Sequence, residues 1–267
     1  MNIHMVKPGS KLKLEAIDPN AKPGFEGGKQ EGKKALEKLL ARMDELQEML
    51  YAEHKHRLLI VLQGIDTAGK DGTIRAVFGS LNPQGVRVAS FKTPAVPELE
   101  HDYLWRVHQV VPRTGEIVVF NRSHYEDVLI VRVHSLVPKE RWERRYRHIN
   151  EFERLLVNEG TTILKFFLYI DKDEQKARFQ ERIDIPRKQW KFNPDDLKER
   201  LLWPQYIQAY EEMLNRTSTQ WAPWYVVPAN ANWYRNLVVA TTVVEALEKL
   251  NPQFPKPAGD YSKIVIE

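Results

Sequence analysis

Residues 64–72 read Gly-Ile-Asp-Thr-Ala-Gly-Lys-Asp-Gly, directly after the apolar run Leu58–Leu62 and before a helical segment, Thr73–Phe78. A strand, a glycine-rich loop and a helix in this order are typical of phosphate-binding loops. The glycines let backbone N–H groups face phosphate oxygens, the helix N-terminus adds positive charge, and Lys70 reaches the outer phosphates. Asp71 stands where a magnesium-binding Ser or Thr is usual. Phosphate binding is therefore the leading interpretation, with a glycine-rich turn and a solvated lysine as the alternative.

Apolar runs that predict strands alternate along the chain with segments of helical periodicity. The predicted strands are Leu58–Gln63, Val86–Phe91, Ile117–Phe120, Thr162–Ile170 and Tyr225–Val227. The predicted helices are Ala35–His54, Thr73–Phe78, Glu98–Val107, Lys139–Asn158, Lys172–Glu181, Pro194–Leu214 and Trp233–Leu250. Such alternation predicts an α/β fold in which helices cover both faces of a parallel sheet.

Length and composition set the expected organisation. With 267 residues, 42% of them hydrophobic, the chain can bury one substantial core, so we expect a single domain over residues 35–267. Residues 1–34 are rich in Gly, Pro and Lys and lack periodicity, which predicts an extended arm. No apolar run reaches the length of about 18 residues that spans a membrane, and the absence of cysteine agrees with a cytoplasmic location. The formal net charge of +4 is too small to indicate a nucleic-acid partner.

A second polar segment, Asn121-Arg122-Ser123-His124-Tyr125-Glu126-Asp127, follows the predicted strand Ile117–Phe120. Ligands of parallel sheets lie beyond the carboxyl ends of the strands, so this segment should meet the glycine-rich loop. Asp66 and Asp127 are candidate magnesium ligands, because carboxylate oxygens suit that ion, although either side chain can instead cap its loop or the next helix. Arg122 offers a planar fork to phosphate oxygens, or else forms a surface ion pair.

A third group of candidate residues lies in the basic segment after the fourth predicted strand. Arg178 and Arg182 are four residues apart, so one face of a helix presents both guanidinium groups. Residues 186–191 add further cationic donors. Together they predict a basic lid over phosphates at about residues 172–200, and a solvated helix face is the alternative. His124, alone in its loop, is expected to be structural.

Three motifs together resemble the polyphosphate kinase type 2 family. They are Gly64-x-Asp66-x-Ala68-Gly69-Lys70-x-Gly72, Asn121-Arg122-Ser123-x-Tyr125-x-Asp127, and Arg178-x-x-x-Arg182 with Trp190-Lys191. The similarity runs from about residue 35 to 250, and the family's loop similarly lacks a hydroxyl residue after the lysine. It implies a P-loop kinase fold with a helical lid, and homo-oligomers, either dimers or tetramers. It also implies reversible transfer of a terminal phosphoryl group from inorganic polyphosphate to a nucleotide, with Mg²⁺ or Mn²⁺ and without a covalent enzyme intermediate.

The resemblance also implies roles for individual residues. The residues implied in phosphate and polyphosphate binding are Gly64, Ala68, Gly69, Lys70, Gly72, Arg122, Arg178, Arg182 and Lys191. Those implied in nucleotide binding are Asn121, Glu126 and Asp127, and those implied in metal binding are Asp66 and Asp127. The residues implied in catalysis are Asp66, Lys70, Arg122, Asp127 and Arg178.

Family members differ in the acceptor, which is a nucleoside monophosphate, a diphosphate or both. The segment Pro228–Asn236 departs from the lysine-bearing version of the diphosphate-specific members and resembles a third class that takes both, and Glu126 beside Asp127 points the same way. We therefore expect consecutive phosphorylation of AMP to ADP and ATP, with adenine favoured over guanine. The alternatives are an ADP-only or AMP-only polyphosphate kinase, an ATP-dependent nucleotide kinase, and a polyphosphate-binding module without catalysis.

Overall fold

Five parallel strands form one sheet in a computed structural model of the protein, which describes residues 2–260 and 264–266. The strands are β1 (Arg57–Gln63), β2 (Val86–Ser90), β3 (Ile117–Asn121), β4 (Thr161–Tyr169) and β5 (Trp224–Pro228). Their order across the sheet is β2-β3-β1-β4-β5, and every pairing is parallel. The carboxyl ends of the strands therefore lie at one end of the sheet.

The structure places ten α-helices in the described residues. They are α1 (Lys29–Glu53), α2 (Lys70–Phe78), α3 (Val96–Leu99), α4 (Trp105–His108), α5 (Ile130–Val133), α6 (Lys139–Asn158), α7 (Lys172–Asp184), α8 (Asp195–Leu201), α9 (Trp203–Thr217) and α10 (Asn232–Leu250). Short 3-10 helices occupy Asn2–His4, Leu14–Ala16, His124–Val128 and Pro186–Lys191. Helices α1, α2 and α10 pack together, as do α5, α6 and α9.

The predicted α/β fold is confirmed. Side chains of a strand point alternately to the two faces of its sheet, and Leu58 to Gln63 of β1 are all buried, so helices cover both faces of the sheet. The bounds of all five predicted strands agree with the structure to within two residues at each end.

Two predicted helices are interrupted in the structure. The segment Glu98–Val107 forms α3 and α4, because the carboxylate of Asp102 accepts a hydrogen bond from the backbone N–H of Leu104 at 2.9 Å and so stabilises a turn. The segment Pro194–Leu214 forms α8 and α9, and Pro204 lies in the first turn of α9, where its missing N–H is tolerated.

The N-terminal segment packs along the sheet. Met5 forms an antiparallel bridge with Tyr225 of β5, and the N–H of Val6 donates to the carbonyl of Trp224 at 2.8 Å. Leu14 is fully buried in the core. Helix α1 begins at Lys29, before the predicted start at Ala35, so it runs through the expected boundary at residue 34. None of the helices in the described ranges combines the length and apolar character that crossing a bilayer requires.

Candidate active site

The glycine-rich loop joins β1 to α2 through a backbone that few other residues adopt. Gly64, Thr67 and Gly69 have positive φ angles of 158°, 69° and 102°. A Cβ atom at Gly69 would lie 1.9 Å from Nη1 of Arg235, so a larger residue is excluded there by both conformation and space. Helix α2 then begins at Lys70, which confirms the predicted order of strand, loop and helix.

Lys70 is buried beside its own loop. Its ammonium group donates to the carbonyl oxygens of Gly64 at 2.6 Å and Ile65 at 3.4 Å. Burial and the nearby charge of Arg122 lower the pKa of Lys70 to about 8. The lysine is thus a cation whose charge is poorly compensated by the protein.

Sheet pairing brings the first two motifs together. Leu62 of β1 lies opposite Asn121 of β3, so the two loops that follow these strands are neighbours. Nη2 of Arg122 donates to Oδ1 of Asp66 at 2.8 Å. Arg122 therefore forms the ion pair that was the alternative to phosphate binding. Both side chains nevertheless border a large cavity.

Asp71, the unusual residue of the loop, contacts both of the other motifs. Its Oδ1 accepts a hydrogen bond from Nδ2 of Asn121 at 2.8 Å. Its Oδ2 lies 4.0 Å from Nζ of Lys191. The position that usually carries a hydroxyl residue thus carries a carboxylate that connects the loop to the end of β3 and to the basic segment after α7.

These residues border one cavity of about 1420 Å³ beyond the carboxyl ends of the strands. The predicted site residues that line the cavity are Asp66, Gly69, Lys70, Gly72, Asn121, Arg122, Arg178, Arg182 and Lys191. Its lining carries eight Lys and Arg side chains and five carboxylates, so the cavity favours anions. Residues far apart in sequence therefore meet at a single basic site.

Four predicted site residues do not line this cavity. Gly64 and Ala68 belong to the buried part of the loop, Asp127 is buried, and Glu126 is partly buried but does not border the cavity. Nη1 of Arg145, on α6, donates to Oδ1 of Asp127 at 2.8 Å and to its carbonyl oxygen at 3.0 Å. Burial raises the pKa of Asp127 to about 6 and also raises the pKa of Glu126, against the opposing charge of nearby arginines.

A buried polar network supports the second motif. Nζ of Lys165, on β4, donates to Oε2 of Glu153 at 2.6 Å, to Oη of Tyr125 at 2.8 Å and to the carbonyl of Thr217 at 2.8 Å. All three hydrogens of this ammonium group are therefore used. His124 is fully buried beside Glu153 and does not border the cavity, as expected for a structural histidine.

Arg178 joins α7 to two loops of the site. Its Nη1 donates to the carbonyl of Thr67 at 2.8 Å, and its Nη2 donates to the carbonyl of Ala229 at 2.7 Å. Its Nε donates to Glu174 at 2.7 Å. Arg182 contacts the carbonyl of Lys191. The phosphate-binding role of both arginines stays a prediction.

Several cavity residues were missed by sequence reasoning. They are Ser90 at the end of β2, and Phe91, Lys92 and Thr93 after it. Asn232, Arg235 and Asn236, at the start of α10, also line the cavity, although their segment was interpreted only as a sign of the acceptor class. The rule that drew attention to the ends of β1 and β3 applies equally to the ends of β2 and β5. Applied to every strand, it would have found most of these residues.

Of the two candidate magnesium ligands, only Asp66 has a carboxylate oxygen that the described residues leave free to bind an ion in the cavity. Across residues 2–260 and 264–266, no group of three or more His, Cys, Asp or Glu is arranged to hold a metal. Mg²⁺ usually takes only one or two protein carboxylates and fills its remaining positions with water and phosphate oxygens. Asp66 fits this requirement, because it borders the cavity and, in the described part of the chain, no donor contacts its Oδ2. Asp127 lies elsewhere, against Arg145.

Comparisons with known proteins identify the family. A family model described as Polyphosphate kinase 2 (PPK2) matches residues 26–255. The AMP/ADP-polyphosphate phosphotransferase of Meiothermus ruber is 58% identical over 267 residues and covers 100% of both chains. The ADP-polyphosphate phosphotransferase of Rhodopseudomonas palustris is 43% identical and covers 98% of this chain and 94% of its own.

A solved structure shares the whole fold. The crystal structure of polyphosphate kinase 2 from Arthrobacter aurescens TC1 superposes with a TM-score of 0.94 at 46% identity, and the alignment covers 97% of this chain and 92% of that one. The family model, the full-length relatives and the shared fold agree on one family. The chain therefore belongs to the polyphosphate kinase 2 family.

Proposed function

We propose that this protein transfers the terminal phosphoryl group of inorganic polyphosphate to AMP and ADP. The observation that carries the proposal is the phosphate loop, which opens into a cavity with an excess of cationic side chains. Such a cavity suits two polyanionic substrates at once, because its charges offset the repulsion between them. The full-length similarity to a relative named for both acceptors supports this choice of substrates.

The acceptor is the finer part of the proposal. The relative named AMP/ADP-polyphosphate phosphotransferase is 58% identical, whereas the relative named ADP-polyphosphate phosphotransferase is 43% identical. The higher identity favours both acceptors over ADP alone. A kinase that accepts only ADP is the second candidate.

The chain's own residues position the reactants. The N–H groups of the loop, Lys70 and Arg122 bind phosphoryl oxygens, and Arg182 and Lys191 add charge from the segment over the cavity. A phosphate oxygen of the acceptor is already a nucleophile at neutral pH, so the site needs no covalent intermediate. Positioning and charge neutralisation supply the catalysis.

Magnesium, or manganese in its place, neutralises charge on phosphoryl oxygens when it is bound. Asp66 would hold the ion through the carboxylate oxygen that Arg122 does not contact. The same role for Asp127 rests on the sequence motif alone, because its carboxylate accepts a hydrogen bond from Arg145. A homo-oligomer and a cytoplasmic location are likewise proposed from the family resemblance and the composition.

The test is an incubation of purified protein with Mg²⁺, long-chain polyphosphate and AMP in the absence of ATP, followed by chromatography. We expect ADP to appear first and ATP afterwards. A Lys70→Met variant serves as the control, and we expect its rate to fall at least about a hundredfold, since a major contact to the transferred charge is lost.

Other products would identify the alternatives. Formation of ATP only when ADP replaces AMP would point to an ADP-specific kinase. Activity with ATP as the donor and none with polyphosphate would point to an ordinary nucleotide kinase. Binding of polyphosphate without any product would contradict catalysis.

A further inference from the structure

The first turn of α10 opens into the cavity. Asn232, Arg235 and Asn236 all line it. Ala231, the residue before the helix, provides no side-chain cap, so the N–H groups of the first turn lack the usual acceptor. This terminus alone does not indicate a ligand, but two buried side chains beside it do.

Arg235 is a buried cation without a counter-ion. It is 2% exposed, and all its hydrogen bonds go to neutral oxygens. Nη1 donates to Oδ1 of Asn232 at 2.7 Å, and Nε and Nη2 donate to Oδ1 of Asn236 at 3.2 and 3.0 Å. No carboxylate of the described residues forms an ion pair with it, and the charge of Arg178 lies nearby.

An uncompensated buried charge is unfavourable for folding. Burial, followed by the repulsion from Arg178, lowers the pKa of Arg235, yet a guanidinium group remains protonated at physiological pH. The group therefore keeps its charge in a poorly solvated place, which costs free energy unless an anion joins it. An anionic ligand would offset this cost.

Asn236 presents an unused donor to the same cavity. The residue is 9% exposed, and its Oδ1 is occupied by Arg235. Within residues 2–260 no acceptor contacts its Nδ2. Because Asn236 lines the cavity, this donor is open to an oxygen atom of a bound ligand.

The phosphate loop lies directly against this pair. A Cβ atom at Gly72 would come within 3.3 Å of Nη2 of Arg235, and at Gly69 the approach to this guanidinium is closer still. Lys70, in contrast, directs its ammonium group to the carbonyl of Gly64. The loop therefore has a second cation beside it, supplied by a different helix.

We propose that Arg235 and Asn236 form a subsite that binds a phosphoryl group of the polyphosphate donor, in addition to the groups bound by Lys70 and Arg122. The inference rests on the proposed function and adds a position along the donor chain. A phosphoryl group of a nucleotide has the same local chemistry. The experiment therefore compares the two ligands.

The decisive variant is Asn236→Asp. It keeps the shape and the oxygen that accepts from Arg235, but it gives the guanidinium an internal counter-ion and repels phosphate. We expect a higher melting temperature together with polyphosphate binding that is at least about tenfold weaker by titration calorimetry without nucleotide. The affinity for ADP, measured without polyphosphate, should change less than about twofold.

Asn158→Asp is the matched control, because it adds the same charge at the exposed end of α6, outside the cavity lining. We expect its polyphosphate affinity to equal that of the wild type. If Asn236→Asp does not fold, Asn236→Ala removes the amide without adding a charge, although Nε and Nη2 of Arg235 then also lose their acceptor. A loss of about threefold or more in polyphosphate affinity is expected from the missing hydrogen bond to the ligand.

Two results would overturn the subsite. A more stable Asn236→Asp protein with unchanged polyphosphate affinity would make Arg235 purely structural, and a selective loss of ADP binding would assign the pair to the nucleotide. Wild-type protein that binds no polyphosphate would instead contradict the proposed function itself. The failure of the subsite and the failure of the function are thus distinguishable.

Discussion

At the scale of single residues, the charge of Lys70 works against folding and in favour of binding. Its pKa in the folded protein is about 8, below the ordinary value of 10.5, because burial and Arg122 outweigh the attraction of Asp66, Glu126 and Asp71. The folded state therefore disfavours the proton on Lys70. Below about pH 8 this protonated lysine destabilises the protein, and the penalty disappears as the pH rises toward 10.5.

The lowered pKa of Lys70 predicts two trends with pH. From pH 7.5 to 9.5 we expect polyphosphate affinity to fall, since Lys70 loses its charge, while the difference in unfolding free energy between Lys70→Met and wild type shrinks. Titration calorimetry and chemical unfolding across this range would measure both. A flat affinity in the wild type would contradict the role of Lys70, and an equal fall in Lys70→Met would assign the pH dependence to another group.

Residue-level prediction was strongest where a motif fixes the backbone. The positions of Lys70 and Arg122 followed from the ends of two strands. The partners of Arg178 did not, because Thr67 and Ala229 are brought to it by loops whose course depends on the complete sheet. Likewise, Asp127 was recognised by its motif, but its contact with Arg145 was not predicted. Arg145 lies on α6, too far along the chain for a local sequence pattern to reveal the contact.

At the scale of elements, a buried ion pair between α6 and β4 supports the second motif. Lys165 and Glu153 are both fully buried, and Tyr125 joins them from the 3-10 helix His124–Val128. The pair thereby fixes the segment that carries Glu126 and Asp127. A charged network in this position gives the segment a defined orientation beneath the cavity.

Breaking only one side of the pair should be more harmful than removing both sides. Lys165→Met leaves Glu153 as an unpaired buried charge, and we expect it to lower the free energy of unfolding by about 3–5 kcal/mol. The double variant Lys165→Met with Glu153→Leu should recover a large part of this loss. Urea unfolding of the three proteins would test the expectation, and a double variant less stable than the single one would contradict it.

Elements were predictable where periodicity is long and uninterrupted. Helix α6 was predicted with its observed bounds, Lys139–Asn158. The interruption between α3 and α4 was not, because it depends on one side chain, Asp102, that accepts a hydrogen bond from the backbone in place of the helical partner. The segment Pro228–Asn236 was interpreted only as a sign of the acceptor class, because the contact of Arg235 with the carbonyl of Ala68 depends on how α10 packs in the folded protein.

At the scale of the whole molecule, most of the modest net positive charge is concentrated around the cavity. The chain has a formal net charge of +4, whereas the cavity alone has eight cationic side chains against five carboxylates. The remaining surface is therefore close to neutral in total. A polyanion should be attracted to one place rather than to the protein as a whole.

Salt should weaken this attraction strongly. By analogy with single-stranded nucleic acids, the logarithm of polyphosphate affinity should fall by about 0.7 per neutralised phosphate for each tenfold increase in salt. With contacts from Lys70, Arg122, Lys191 and Arg235 we expect a slope near −3. Binding measured from 50 to 500 mM KCl, with AMP as the less charged comparison, would test this. A flat response would contradict the basic cavity as the polyphosphate site.

The contacts of the N-terminal segment with β5 and Ser218 can form only after the residues between them have been synthesised. Ser218 donates to the carbonyl of Val6 at 2.6 Å, and these residues are 212 positions apart. At about 5–20 residues per second, a ribosome needs roughly 10–40 s to add the missing partner. Val6 therefore stays without this partner until Ser218 has been synthesised, and its segment docks later than elements whose contacts are local.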